Sequence, residues 1–250
     1  MPASFLLALV LQVTPAPRAT PALRAGLDTL YGGRFETAAH YFADLAARDT
    51  TNAAALVFQA SAYIWWASAL DSAAFEEDRI DSLLGLAIRR ARASGSGGDF
   101  WLATAHGYRA RERELHGHSW GASRDAKAMR DAYRRILVTD TLCVDCYLGL
   151  GVYHYGLGRA SALARFVARL LGLGSGNAEE GIRYLRRVAH DGDLAQVEAT
   201  WVLAAALVRE AERDPAGRVV LHREAREFVE RLAQRFPGNP VFQRFMTEIP

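Results

Sequence analysis

Cys146-Tyr147-Leu148-Gly149-Leu150-Gly151-Val152-Tyr153-His154-Tyr155-Gly156-Leu157-Gly158-Arg159 sets large side chains beside very small ones at helical spacing and ends against a glycine. A glycine inside a helix costs about 1 kcal/mol relative to alanine. Gly151 therefore marks a point where a second helix approaches too closely for a side chain. Tyr147, Leu150 and His154 flank it on one face. The stretch predicts a helix packed hard against another, and the rest of the chain offers partners built the same way.

Half of the 250 residues are hydrophobic, which is enough for a substantial core. Alternating Val/Ile/Thr runs bounded by turn residues are nearly absent, so the expected class is all-α. The 30 basic and 28 acidic residues leave a net charge of +2 and are intermixed along the chain. Nothing in that distribution makes a basic face for nucleic acid. Lys127 is the only lysine.

Upstream, residues 23–35 read as a helix closed by Gly32 and Gly33, and residues 36–45 as its partner. Gly26, Ala38 and Phe42 sit at the small and aromatic positions, and Asp49-Thr50-Thr51-Asn52 supplies turn chemistry. Residues 54–70 form the next first helix, with Leu56, Ala60 and Tyr63 on its packing face. Its partner at 80–93 follows an acidic spacer over 71–78. After the Gly/Ser break at 94–98, Phe100, Trp101, Ala105 and Tyr108 open a third pair. Residues 124–137, with Met129, Tyr133 and Ile136, complete it. Downstream of the opening stretch, an insert at 160–176 precedes a helix over 178–188. A fifth pair covers 197–212 and 222–236 and ends at Phe236-Pro237-Gly238-Asn239-Pro240.

Large residue, leucine, small residue, aromatic and a glycine turn, repeated in helix pairs, resembles the tetratricopeptide repeat (TPR), whose period is about 34 residues. The resemblance covers residues 21–240 in four or five degenerate pairs and is clearest in the first and fourth. Tyr-Leu-Gly-Leu-Gly-x-Tyr-x-Tyr, an arginine-rich apolar insert, a Glu-Glu-Gly-Ile helix and a closing Phe-Pro-Gly-Asn-Pro are also similar to a group of exported bacterial proteins of this family. No assigned activity follows from that likeness. The resemblance implies a TPR-like α–α superhelix, or solenoid, over residues 23–250. It implies a non-enzymatic scaffold, without a cofactor, that binds a protein or peptide on its concave face. In the family that face is lined by first-helix positions not used in packing, which here are Trp65, His106, Arg109, Val152, Tyr155 and Trp201. Aromatic and arginine side chains suit such a surface; the same residues, Trp201 above all, also fit a core.

The run Phe5-Leu6-Leu7-Ala8-Leu9-Val10-Leu11-Gln12-Val13, followed by a Pro- and Ala-rich segment over 14–22, reads as a secretory signal peptide and linker over residues 1–22. It falls short of the roughly 20 apolar residues that span a bilayer. Export to the periplasm or cell envelope is expected, with the mature chain beginning between Ala16 and Ala22. No Lys or Arg precedes the run, and a first helix of the fold is the other reading.

Cys143 and Cys146 are the only cysteines. Three residues apart at the start of a helix, they are close enough for a disulfide, and a helix N-terminus favours thiolate. A thiol-redox protein is thus an alternative function, although no βαβ pattern surrounds the pair. His116-Gly117-His118 supplies two potential metal ligands where a structural zinc site wants four, so a solvated loop is expected. The metalloprotease, serine-hydrolase and phosphate-loop motifs are missing. In the 160–176 insert, Leu163, Phe166, Val167, Leu170 and Leu171 recur at helical spacing while Arg165 and Arg169 take other faces, with Arg159 just ahead of them. The expected arrangement is packing across the array; peripheral contact with a membrane is the alternative.

Overall fold

The computed structural model describes residues 17–249, and every structural statement here concerns those residues. The secretory reading falls mainly on residues 1–16 and so lies outside them. The regular structure is all helical: α1 (Pro21–Tyr31), α2 (Phe35–Arg48), α3 (Ala53–Leu70), α4 (Glu77–Ala93), α5 (Asp99–Leu115), α6 (Ser119–Thr139), α7 (Cys146–Arg159), α8 (Ala162–Leu170), α9 (Ala178–Asp191), α10 (Gln196–Arg213), α11 (Arg218–Arg235) and α12 (Pro240–Glu248), with a 3-10 turn at Gly95–Gly98. Each helix packs on the next, except that α7 passes over α8 to pack on α9. In addition α1 meets α3, α3 meets α5 and α5 meets α7. The architecture is therefore helical-repeat-like, with hairpins stacked through their first helices.

Local chemistry sets the boundaries. Thr20 caps α1 by accepting from Leu23 N at 3.2 Å, and Pro21 follows, where its missing N–H costs nothing. In the turn before α3, Asp49 Oδ1 accepts from Thr51 N at 2.9 Å and from Thr51 Oγ1 at 2.6 Å. Asn52 then caps α3 through Ala55 N at 3.0 Å. Asp, Thr and Asn build this turn without a proline.

Helix α3 is apolar nearly all round because it is the centre of the molecule, packed by α1, α2, α4, α5 and α12. By length and composition it could cross a membrane, but most of it is buried inside the protein, as a core helix would be. Helices α7 and α9 meet at a close contact. A Cβ on Gly151 would lie 3.1 Å from Gly181 O and 3.0 Å from Leu185 Cγ. A Cβ on Gly181 would lie 2.5 Å from Tyr155 N, so α9 must present glycine here, while a side chain at Gly151 would force its neighbours on α9 to shift.

The C-terminal segment closes the fold. Gly33 has φ +82°, and a Cβ there would lie 2.3 Å from Gly238 O, so the position excludes a side chain on both conformational and steric grounds. Asn239, fully buried, donates from Nδ2 to Tyr31 O at 3.0 Å and caps α12. Arg244 donates to Ser68 O at 2.5 Å and to Ala69 O at 3.3 Å at the end of α3. Phe242 is fully buried against Trp65, Trp201 and Phe236. A second tie joins the middle of the chain to α10: Asp145 accepts from the backbone N–H groups of Asp193, Leu194 and Ala195 at 2.9, 2.9 and 3.3 Å. Burial raises the Asp145 carboxyl above its ordinary range in spite of these bonds.

The insert departs from expectation. It forms α8, capped by Ser161, but of its residues only Ala168 is buried. Leu163, Phe166 and Leu170 are 73%, 57% and 71% exposed, and Val167 is exposed as well. Packing across the array is thus confined to Ala168 and the residues that follow, half-buried Leu171 and buried Leu173. The Leu173 carbonyl accepts from Arg130 Nη1 at 2.5 Å and also from Tyr153 Oη. This bond pins the segment after α8, and α8 itself stands away from the body.

Candidate functional site

The six residues expected on a concave face separate into three groups. Trp65, only 5% exposed, lies with Trp201 in an aromatic cluster. Its ring centroid is 5.5 Å from Phe242, 5.7 Å from Tyr31 and 6.0 Å from Trp201. Trp201 is half-buried and lies 4.6 Å from Phe245. These two tryptophans are covered by α12 and packed as core, the second of the two arrangements open to them, and not as free ligand anchors.

His106 and Arg109 belong to the interface between α5 and α6. Asp125, buried on α6, accepts from Arg109 Nε at 2.9 Å and Nη2 at 2.7 Å, and from Arg113 Nη1 at 2.7 Å. His106 Nδ1 lies 2.7 Å from Asp125 Oδ1. Burial alone would raise the Asp125 carboxyl. The hydrogen bonds and charges of His106 and Arg109 outweigh it and hold the group at about 2. His106 is buried and Arg109 is committed to this carboxylate, so neither is an open binding group.

Tyr155 and Val152 sit on α7. Tyr155 is buried, its hydroxyl donating to Glu210 Oε1 at 3.1 Å, and the same carboxylate receives Arg159 Nε at 2.8 Å. Val152 is 44% exposed. It lies between the side of α7 that meets α6, through Gly149 and Tyr153, and the side that meets α9 and α10, through Gly151 and Tyr155. One turn on, a Cβ at Gly156 would meet nothing within 4 Å. Of the six residues, Val152 alone is exposed.

The remaining candidates resolve as follows. Cys143 and Cys146 form a disulfide with Cα atoms 5.4 Å apart, and both residues are buried. His116 Nδ1 lies 3.2 Å from Glu77 Oε2, His118 is exposed, and no group of three or more His, Cys, Asp or Glu side chains suited to a metal occurs among the described residues. His154 Nδ1 lies 3.1 Å from Glu180 Oε2 between Tyr153 and Tyr184, and burial lowers its pKa.

A further polar group inside the array escaped the sequence reading. Tyr108 on α5 donates to Glu198 on α10 and accepts from Ser61 on α3 at 3.3 Å, which links three first helices. Burial raises the Glu198 carboxyl, and burial together with Glu198 raises the Tyr108 phenol. Asp125 carried a readable signal, being an acid on the packing stripe of Ala122, Met129 and Ala132. Glu198 carried a weaker one, three residues before Trp201 on the same face.

No family model matches the chain, and no curated protein matches it.

Proposed function

We propose that the protein is a TPR-like α–α superhelix acting as a non-enzymatic scaffold that binds a protein or peptide, and that it is exported to the cell envelope. The observation carrying this reading is the exposed side of α7, where Val152 and the bare backbone at Gly156 offer an apolar seat, which the proposed superhelix would place on its concave face. The stacking of first helices on one another supports the superhelix. The side chains best suited to chemistry point the same way, since they are engaged internally: His106 and Arg109 by Asp125, Glu198 by Tyr108. Export rests on the N-terminal apolar run, and a disulfide is at home in an oxidising compartment.

The thiol-redox alternative requires a sulfur within reach of a substrate. Both cysteines are buried, so that reading has less support.

The test is peptide display against the immobilised chain and against Val152→Arg. Enrichment of a common motif that Val152→Arg abolishes, with an unchanged thermal midpoint, is the expected result. Absence of enrichment, or enrichment indifferent to Val152, sinks the proposal.

A further inference from the structure

Among the described residues, the densest run of exposed large apolar side chains lies on one short helix. Helix α8 contributes Leu163, Phe166, Val167 and Leu170. Within α5–α6 and α7–α9 the helices run antiparallel: Thr104 meets Tyr133 while Gly121 meets Arg113, and Gly158 meets Ala178 while Gly151 meets Leu185. The turns that join first to second helices therefore lie together at one end of the stacked hairpins. Exposed Leu115 and Trp120 flank the α5–α6 turn at that end. On a protein surface, a cluster of large apolar side chains without a covering element marks an interaction site.

Its charge indicates the occupant. Between Asp145 and Glu179 the chain has no acidic residue, while Arg159, Arg165 and Arg169 are present. Arg159 is neutralised by Glu210. Arg165, folded against Ala160 O at 2.6 Å, and exposed Arg169 stand on the polar side of the helix, away from the apolar stripe. The acidic turn at 71–78 belongs to a hairpin two positions away, so the positive charge is local to α8.

We propose that α8 docks the protein on an anionic membrane surface, with Phe166, Leu163 and Leu170 entering the headgroup boundary and Arg165 and Arg169 meeting lipid phosphates. A short amphipathic helix with arginines on its polar face and Phe and Leu on the other is suited to lying in that plane, the long arginine side chains reaching back to the headgroups. The segment after it, held through Leu173 by Arg130 and Tyr153, fixes the body to the docked helix.

The test is co-sedimentation of the full chain with vesicles of equal phosphatidylglycerol and phosphatidylcholine, and with phosphatidylcholine alone. The wild type should pellet with the anionic vesicles and stay largely in solution with the neutral ones. Phe166→Gln with Leu170→Gln should weaken partitioning by roughly tenfold or more for each side chain withdrawn. Arg165→Gln with Arg169→Gln should weaken it by about fivefold per charge. Because these side chains are exposed, helicity and thermal midpoint should match the wild type. Wild-type protein remaining in the supernatant with anionic vesicles overturns the proposal, as do variants that bind undiminished. A concentration-dependent dimer abolished by Phe166→Gln with Leu170→Gln overturns it too, because the face would then be taken by a second copy.

Discussion

Asp125→Asn tests whether one buried carboxylate, surrounded by three cationic or potentially cationic side chains, is what joins α5 to α6. Holding the carboxyl at about 2 instead of the ordinary 3.8 corresponds to about 2.5 kcal/mol of folding stability at neutral pH. For a chain of this size that lowers the thermal midpoint by about 5–10 °C. Asparagine keeps the shape but turns an amide N–H₂ toward donors on His106, Arg109 or Arg113, so the loss should reach at least this value. The sign follows from the direction of the shift. Asp125 is depressed in the folded state, so its stabilisation is present above the unfolded value near 4 and is lost as pH falls toward 2. Asp145 and Glu198, both raised by burial, act the other way, since folding becomes less favourable as they ionise. The difference between wild type and variant cancels their contribution. Urea unfolding followed by circular dichroism at pH 7, 4 and 2 should show a gap that narrows across the last interval. Equal midpoints at pH 7, or a gap unchanged at pH 2, would refute the linkage.

Gly151→Leu should destabilise the α7–α9 pair by about 1–3 kcal/mol or more, because even its Cβ would press Leu185 Cγ at 3.0 Å and Gly181 O at 3.1 Å; a wild-type thermal midpoint would disprove the close contact. Phe242→Ala, at a fully buried position beneath Trp65 and Trp201, should cost about 3–5 kcal/mol and shift tryptophan emission to the red, whereas unchanged emission would mean that α12 does not cover the inner face.

Helix positions were legible because helical periodicity and turn chemistry are local. The opening stretch, Cys146 to Arg159, is α7, but its caps are Asp145 and Ala160, and Gly156 and Gly158, expected to close it, lie inside the helix. Gly151 was readable as a close contact, and its reciprocal partner Gly181 stood in the quoted Glu-Glu-Gly-Ile helix without being singled out. Helix α12 was missed beyond Pro240 although Asn239-Pro240 is a cap followed by a proline at the first helical position. From sequence the pair reads as a final turn, because the repeat pattern ends there.

That omission is what misplaced the site. Periodicity assigns a residue to a face of its own helix, but it does not say what arrives on that face from far along the chain. A segment some 40 residues beyond Trp201 brings Phe242 onto Trp65 and Trp201 and Phe245 onto Trp201. Covering two tryptophans with phenylalanines removes far more apolar surface from water than leaving them open would. Val152 stays exposed, where α7 presents one valine and a glycine and the gain from closure is smallest. For α8 the same reasoning fails in the opposite sense. Its apolar stripe is as regular as any in the chain, yet the glycines at 172 and 174, both at positive φ, turn the chain away immediately after it and return it to the body at Leu173. A periodic stripe predicts that a face will be buried; only the connection decides whether this chain can bury it.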